Sequence, residues 1–394
     1  MNYLIIGGGV AGTTAAEELR KRDASAEITI LSEEHHPLYS RVLLPHYMKG
    51  KIPRERVFLK RDTWYAQQDI EWQTGVLAKH LDAKNKFVGG SDGREYPYDK
   101  LLIATGGEVR SLEGDLRGVS YLRTLDDADQ FLQLVTEQGN QARGVVYGGG
   151  FIACEYINLF QHFGISTTVV HRGSHFWTRS LVPEAGELIA KTLKTRGVEL
   201  HVSTSFQSLK GDSELQGIVT SGGEYPATLL GVGIGIEPDL SWLREANVEV
   251  ETGVKANEFL QTNIPDVYTA GDIAEFFDPI IGRQLQIGNW MNAMSQGRTV
   301  AKSMTGEQTS FQLVSSYATN VLGLEIIFVG DVERAMAEKV HVVGSVTDGG
   351  ITQVFERDGR IVGGVLIGRN TDRAPITSAI QEKQRTVDIL AKIK

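Results

Sequence analysis

The stretch Tyr3-Leu4-Ile5-Ile6-Gly7-Gly8-Gly9-Val10-Ala11-Gly12 decides the fold. Tyr3 to Ile6 is a short apolar run of the kind that makes a buried parallel strand. It runs directly into Gly7, Gly9 and Gly12, which have the spacing G-x-G-x-x-G. Thr13 to Arg22 are helix formers with Leu and Ala on one face, and Glu27-Ile28-Thr29-Ile30-Leu31 reads as a second strand. Ser32-Glu33-Glu34 follows, and Glu33 stands 33 − 12 = 21 positions after Gly12. That is close to the ~20 expected of the acid that holds a nucleotide ribose. Each glycine has its own task. Gly7 permits the tight turn, Gly9 lets a pyrophosphate approach the backbone, and Gly12 lets helix and strand pack closely. Val10 and Ala11 complete the loop, and the helix start offers free N–H groups and a dipole to the phosphates. Either Glu33 or Glu34 takes the ribose hydroxyls.

A second unit of the same kind begins at Gly144-Val145-Val146-Tyr147 and continues Gly148-Gly149-Gly150-Phe151-Ile152-Ala153. This is G-x-G-x-x-A, a tolerated variant with Ala153 in the third place. The spacing predicts a helix to about His162 and a strand at Ser166-Thr167-Thr168-Val169-Val170. An NADH site usually carries an acid after this second strand. Here the chain reads His171-Arg172-Gly173-Ser174. His171 and Arg172 are instead suited to a 2′-phosphate, which favours NADPH slightly over NADH.

Composition narrows the class. The chain has 394 residues and a net charge of −9, so two or three domains are expected and nucleic acid is a poor partner. The single cysteine, Cys154, excludes an intramolecular disulfide and a cysteine-built metal site, and no metal is expected. No signal peptide and no membrane-spanning run is legible, so the expectation is a soluble cytoplasmic protein.

Two further motifs complete the pattern: Ala104-Thr105-Gly106-Gly107, and Tyr268-Thr269-Ala270-Gly271-Asp272. In this order the four motifs resemble the two-dinucleotide flavoprotein superfamily, the pyridine nucleotide-disulfide oxidoreductases. The resemblance covers nearly the whole chain. It implies an α/β fold of two nested Rossmann-like domains and a C-terminal α+β interface domain. The implied FAD-binding domain is split, at about 1–110 and 240–308. The NAD(P)-binding domain lies between, at about 111–239, and 309–394 covers the flavin or builds a homodimer face. By the same resemblance Gly271, Asp272, Ala104, Thr105 and Gly106 hold FAD, and Gly235 lies in the exit from the second domain. Val76 is a backbone contact on the adenine side, and Arg123 stands in the LRT stretch at the domain junction.

The resemblance also selects a branch. Disulfide reductases and related peroxidases carry cysteine after the first acid, where this chain reads His35-His36-Pro37-Leu38-Tyr39-Ser40-Arg41. Without a thiolate nucleophile those reactions are excluded. The stretch is similar instead to rubredoxin and ferredoxin reductases and to the flavin half of nitrite reductases, in which Arg41 matches a flavin contact. Trp290-Met291-Asn292-Ala293-Met294-Ser295-Gln296-Gly297 resembles their W-x-x-A-x-x-Q-G, with Trp290 either core or flavin contact. Glu155 matches a catalytic Glu at the nicotinamide pocket, whose partner in relatives is a Lys. By position the counterpart here is His46, Lys49 being near only in sequence.

The implied reaction moves a hydride from NAD(P)H to flavin N5 and then electrons to a one-electron carrier such as rubredoxin or ferredoxin. A small-molecule acceptor, or a redox-sensing flavoprotein with slow turnover, are the alternatives. Between Met48 and Arg61 stand six basic residues and one acid, against the overall sign. Such a run suits an acidic iron–sulfur partner.

Overall fold

The protein is described, over residues 1–393, from a computed structural model. The chain divides into two compact units. One comprises Met1–Leu43, Ile52–Glu108 and Glu237–Leu313; the other comprises Leu44–Lys51, Val109–Ile236 and Val314–Lys394.

The first unit is built on a parallel sheet in the order Val267–Thr269, Lys100–Ile103, Asn2–Ile6, Glu27–Ser32, Ile70–Thr74. The chain starts in the middle and works outward both ways, so the order reverses beside Asn2–Ile6. Rossmann-type sheets bind ligands at such a switch point, at the strands' carboxyl ends. Leu4, Ile5, Ile6, Ile30, Leu101, Leu102 and Ile103 are fully buried, because elements cover both faces. The helix Val10–Arg22 buries Ala15, Ala16 and Leu19 and packs against Trp290–Met304. Small residues let these helices approach. A Cβ on Gly297 would stand 2.5 Å from the Ala11 carbonyl oxygen.

The second unit repeats the plan with the parallel order Glu199–His201, Ser166–Val170, Arg143–Gly148, Leu229–Gly233, Val119–Ser120. The helix Phe151–His162 ends where the spacing predicts. The unit also holds a five-stranded antiparallel sheet in the order Ser316–Val321, Leu324–Gly330, Arg360–Ile367, Gly350–Arg357, Lys339–Ser345, with the helix Arg373–Gln381 against it. Its Asp358-Gly359 turn has φ values of +51° and +68°, the doubly left-handed turn that an Asp-Gly pair forms. The first hairpin of this sheet, Ser316–Val321 with Leu324–Gly330, had no counterpart in the sequence reading.

Candidate functional sites

The first glycine loop has the three-part geometry its spacing demands. Gly7 has φ +113°, and a Cβ there would meet the Ala104 carbonyl oxygen at 2.2 Å. A Cβ on Gly12 would meet the Gly7 carbonyl oxygen at 2.1 Å and Ile5 at 2.9 Å. A Cβ on Gly9 would meet nothing within 4 Å. Two glycines are therefore filled by the fold and one is left open as a cradle. No side chain caps the helix start at Gly9, so the N–H groups of its first turn remain for an anion. The Ala104-Thr105-Gly106 stretch is brought against this loop by the Ala104–Gly7 approach.

The structure separates the two acids. Glu34 is committed to its own segment: Tyr39 Oη donates to Glu34 Oε2 at 2.5 Å, and Arg41 Nη2 donates to Glu34 Oε1 at 2.5 Å. Glu33 stands at the end of the strand Glu27–Ser32, and partial burial with the nearby charges of Glu108 and Glu34 pushes its carboxyl up. Val76 donates its N–H to the Ser32 carbonyl at 3.0 Å.

Gly271 adopts φ +85°, and a Cβ there would stand 3.2 Å from the Ala11 side chain. Its N–H donates to Gln296 Oε1 at 2.7 Å. Asn289 caps the helix Trp290–Met304 by accepting from the Asn292 N–H at 2.9 Å. Gln296 Nε2 and Asn292 Oδ1 are buried without a protein partner. Asp272 closes this end, and the Gly288 backbone approaches its carboxylate, a Cβ there standing 3.4 Å away. An open glycine cradle, a free helix start, one uncommitted acid and orphaned buried amides fit a flavin dinucleotide. Trp290 lines an open groove of about 270 Å³ with Val10, Leu38, Lys60 and Met294. A second groove, about 570 Å³, lies at the opposite end of the sheet beside Asn2, Glu27 and Pro97.

In the second unit a Cβ on Gly148, whose φ is +146°, would stand 2.2 Å from the Gly233 carbonyl oxygen. Ala153 is fully buried in the place of the third glycine. The close approach is supplied from the other side, since a Cβ on Gly233 would stand 2.7 Å from the Ala153 nitrogen. Gly150 ends the loop with no side-chain cap on the helix Phe151–His162. Arg110 N–H donates to the Gly235 carbonyl at 3.0 Å. Arg123 N–H donates to Asp127, part of the box that caps the helix Leu125–Gln138.

Three sequence expectations change here. His171 does not face outward as a cation. Its Nε2 lies 2.9 Å from the His175 carbonyl, its ring packs where Gly149 and Gly173 lack side chains, and burial holds its pKa below the ordinary imidazole value. Burial thus disfavours the charged ring that a phosphate contact would use. Arg172 is exposed after the strand, and Arg179 is exposed further along the same loop. The partner of Glu155 is Lys49, not His46: Lys49 Nζ lies 3.9 Å from Glu155 Oε2. The short helix Leu44–Met48 packs on Leu125–Gln138 and Phe151–His162, with Tyr47 Oη donating to Asp129 at 2.6 Å, and this carries Lys49 to Glu155. The basic run is also weaker than its count. Lys60 pairs with Glu17 at 2.8 Å and sits over the Trp64 ring, and Lys49 faces Glu155.

Cys154 is fully buried, and burial pushes its thiol well above the usual range, an environment that disfavours the nucleophilic thiolate.

The profile described as "Pyridine nucleotide-disulphide oxidoreductase" matches residues 1–297. The chain belongs to this family. It is 31% identical over 332 residues to the rubredoxin-NAD(+) reductase of Ectopseudomonas oleovorans, an alignment covering 83% of this chain and 86% of that one. It is 28% identical to the nitrite reductase [NAD(P)H] of Bacillus subtilis over 96% of its own length, but spans only 47% of that longer protein. Among solved structures, the complex of putidaredoxin reductase with putidaredoxin matches with a TM-score of 0.91 at 23% identity, covering 100% of this chain and 98% of that one. That likeness establishes the shared fold. Membership makes the protein an oxidoreductase of FAD and NAD(P)H. Among the described residues no helix is long and apolar enough to cross a membrane.

Proposed function

We propose that the unit holding Gly7, Gly9, Gly12, Glu33 and Asp272 binds FAD, and that the unit holding Gly148, Gly150 and Ala153 binds the nicotinamide dinucleotide. By this reading the chain oxidises NAD(P)H and delivers electrons to a one-electron iron–sulfur carrier of the rubredoxin or ferredoxin kind. The observation that carries the proposal is the combination of two glycine cradles with a single, fully buried thiol. With no accessible cysteine to relay electrons, they leave from the flavin itself.

When bound, FAD accepts electrons as a pair and releases them singly, which is the chemistry that joins a hydride donor to a one-electron acceptor. The chain's own residues set the conditions. Gly9 admits the pyrophosphate to the helix start, and Glu33 accepts from the adenosine ribose. Glu34 is the positioning residue for Arg41, which it holds by a charge-assisted bond of 2.5 Å. Arg41 thereby presents a fixed cation to the flavin. Glu155 and Lys49 place one acid and one base beside the second glycine loop. NADPH is preferred modestly to NADH, on Arg172 and the missing acid, without help from His171.

The test is direct turnover of the FAD-loaded protein with NADPH or NADH and a purified rubredoxin or ferredoxin. Fast carrier reduction supports the proposal. Efficient turnover of a small acceptor with no carrier reduction would replace it by the small-molecule reading.

A further inference from the structure

The two glycine loops differ at their open position. A Cβ on Gly9 meets nothing within 4 Å, whereas a Cβ on Gly150 finds Trp177 Nε1 at 3.8 Å. The second glycine of this motif is where a pyrophosphate lies against the backbone. We propose that the indole N–H of Trp177 is a direct hydrogen-bond donor to the pyrophosphate of the dinucleotide at the second loop. This rests on the reading of that loop as the nicotinamide-dinucleotide site.

The surroundings of Trp177 support the assignment. Its Nε1 is buried and has no hydrogen-bond partner, although the ring is partly exposed. A buried indole N–H ordinarily finds an acceptor, and an anionic oxygen is the strongest available. Its backbone sits at φ +46°, a conformation that a bulky residue adopts only when its surroundings impose it.

Those surroundings are present. The Trp177 N–H donates to the Gly149 carbonyl at 2.9 Å, which ties the residue to the phosphate loop itself. Its own carbonyl accepts from Ser180 and Leu181 at 2.8 Å each. The ring is wedged among Phe151, Phe176 and Phe328, with centroids 5.2, 5.8 and 5.3 Å away.

The C-terminal sheet holds the same segment in place. Gln353 accepts from the Val182 N–H at 3.0 Å and donates to the Ser180 carbonyl at 3.0 Å, and Arg334 donates to the Leu181 carbonyl at 2.9 Å. The backbone that carries the indole is thus held before any ligand arrives, and Nε1, shielded from solvent in this structure, is uncovered as the pyrophosphate seats. A rigid neutral donor beside Gly150 reads the phosphate bridge common to NADH and NADPH, and not the 2′ position that separates them.

The experiment uses the full-length FAD-loaded protein with ADP-ribose as the probe, since it carries the pyrophosphate but no hydride. Trp177→Phe keeps the ring and removes the donor. It is expected to raise the ADP-ribose Kd roughly tenfold or more, as loss of a charge-assisted bond implies, and the NADH and NADPH KM values in equal proportion. The limiting rate of flavin reduction should stay unchanged. In the wild type, the Trp177 indole proton resonance should move downfield when ADP-ribose binds. That resonance is identified as the one missing from W177F or, if W177F does not fold, from W177Y. Unchanged affinity in W177F, a stationary indole signal in a saturated complex, or tighter binding by W177A would each overturn the proposal. If the wild type binds neither ADP-ribose nor NADH, the dinucleotide reading of this unit fails first, and that result is told apart by the wild type alone.

Discussion

Lys49 Nζ and Glu155 Oε2 face one another at 3.9 Å, a separation at which charges attract without a formed hydrogen bond. Burial pushes the Glu155 carboxyl up while Lys49 opposes it, and burial pushes the Lys49 ammonium down while Glu155 opposes that. Both shifts favour the neutral forms, and the sign of the pH response follows. The Glu155 contribution to stability is complete below the unfolded carboxylate value of ~4.3 and is lost as pH rises through its higher folded value. The Lys49 contribution is complete above ~10.4 and is lost as pH falls through its lowered folded value. Glu155→Gln should therefore gain in Tm over the wild type as pH rises from ~4 to ~7. Lys49→Met, which removes the opposing charge, should steepen the wild-type loss. Thermal melts across this pH range decide it, and a constant difference between E155Q and wild type would refute the argument. In the same variants, Glu155→Gln should slow flavin reduction by nicotinamide several-fold.

The two neighbouring acids of the first unit should separate by function. Glu34 is occupied by Tyr39 and Arg41, whereas Glu33 stands at the strand end. Glu33→Gln should weaken FAD retention about tenfold, the worth of one charge-assisted bond. Glu34→Gln should retain FAD better than Glu33→Gln but alter the flavin absorbance and reduction potential through the released Arg41. Equal loss of FAD in both variants would show that the acids act as a pair.

What the sequence revealed and what it concealed follow from the range of the interactions involved. Gly7, Gly9, Gly12 and Gly148, Gly150 were legible because strand, glycine turn and helix are contiguous, and local spacing states their purpose. The engagement of Glu34 rather than Glu33 by protein partners was not, since it depends on Tyr39 and Arg41 reaching back across a loop. Lys49 was hidden because its approach to Glu155 needs the packing of Leu44–Met48 on two later helices. The downward pressure on the His171 charge was not legible, because it comes from burial of the ring, against which the His175 carbonyl works. Trp177 carries no motif at all. Only its unpaired nitrogen and left-handed backbone single it out.

Cofactor choice should depend on Arg172 and not on His171. Arg172 is exposed, so its contact with a 2′-phosphate is worth ~0.5–1 kcal/mol, a few-fold in affinity. Arg172→Ala should lower the NADPH-to-NADH preference by that factor, while His171→Asn should leave the ratio alone. Stopped-flow titration of flavin reduction with each nucleotide measures both. A loss of NADPH preference in His171→Asn would restore the charge that burial denies it.

The glycines offer a contrast between binding and folding. Gly9 has open space at its Cβ position, so Gly9→Ala should fold with near-normal Tm yet fail to retain FAD. Gly233→Ala would press a methyl to 2.7 Å from the Ala153 nitrogen, where the buried helix cannot yield freely. Overpacking of this kind costs about 1–3 kcal/mol. Calorimetry should show Gly233→Ala destabilised with FAD still bound, and a stable Gly233→Ala would mean that the helix shifts at little cost.

The acceptor is tested by salt. Of the six cations between Met48 and Arg61, Lys49 and Lys60 face carboxylates. Lys51 and Arg56 are exposed and Arg54 is partly exposed, on a chain whose net charge is −9. Cations concentrated against the overall sign steer an acidic carrier, and the effect fades as the screening length falls from ~10 Å at 0.1 M to ~3 Å at 1 M. Reversing Lys51, Arg54 and Arg56 to Glu should slow rubredoxin or ferredoxin reduction several-fold at low salt and little at high salt. Flavin reduction by NADPH or NADH, which does not depend on these side chains, should stay near normal in the same protein. Should carrier reduction be indifferent both to salt and to the triple reversal, these residues form only a solvated face, and docking must rely on uncharged contacts elsewhere.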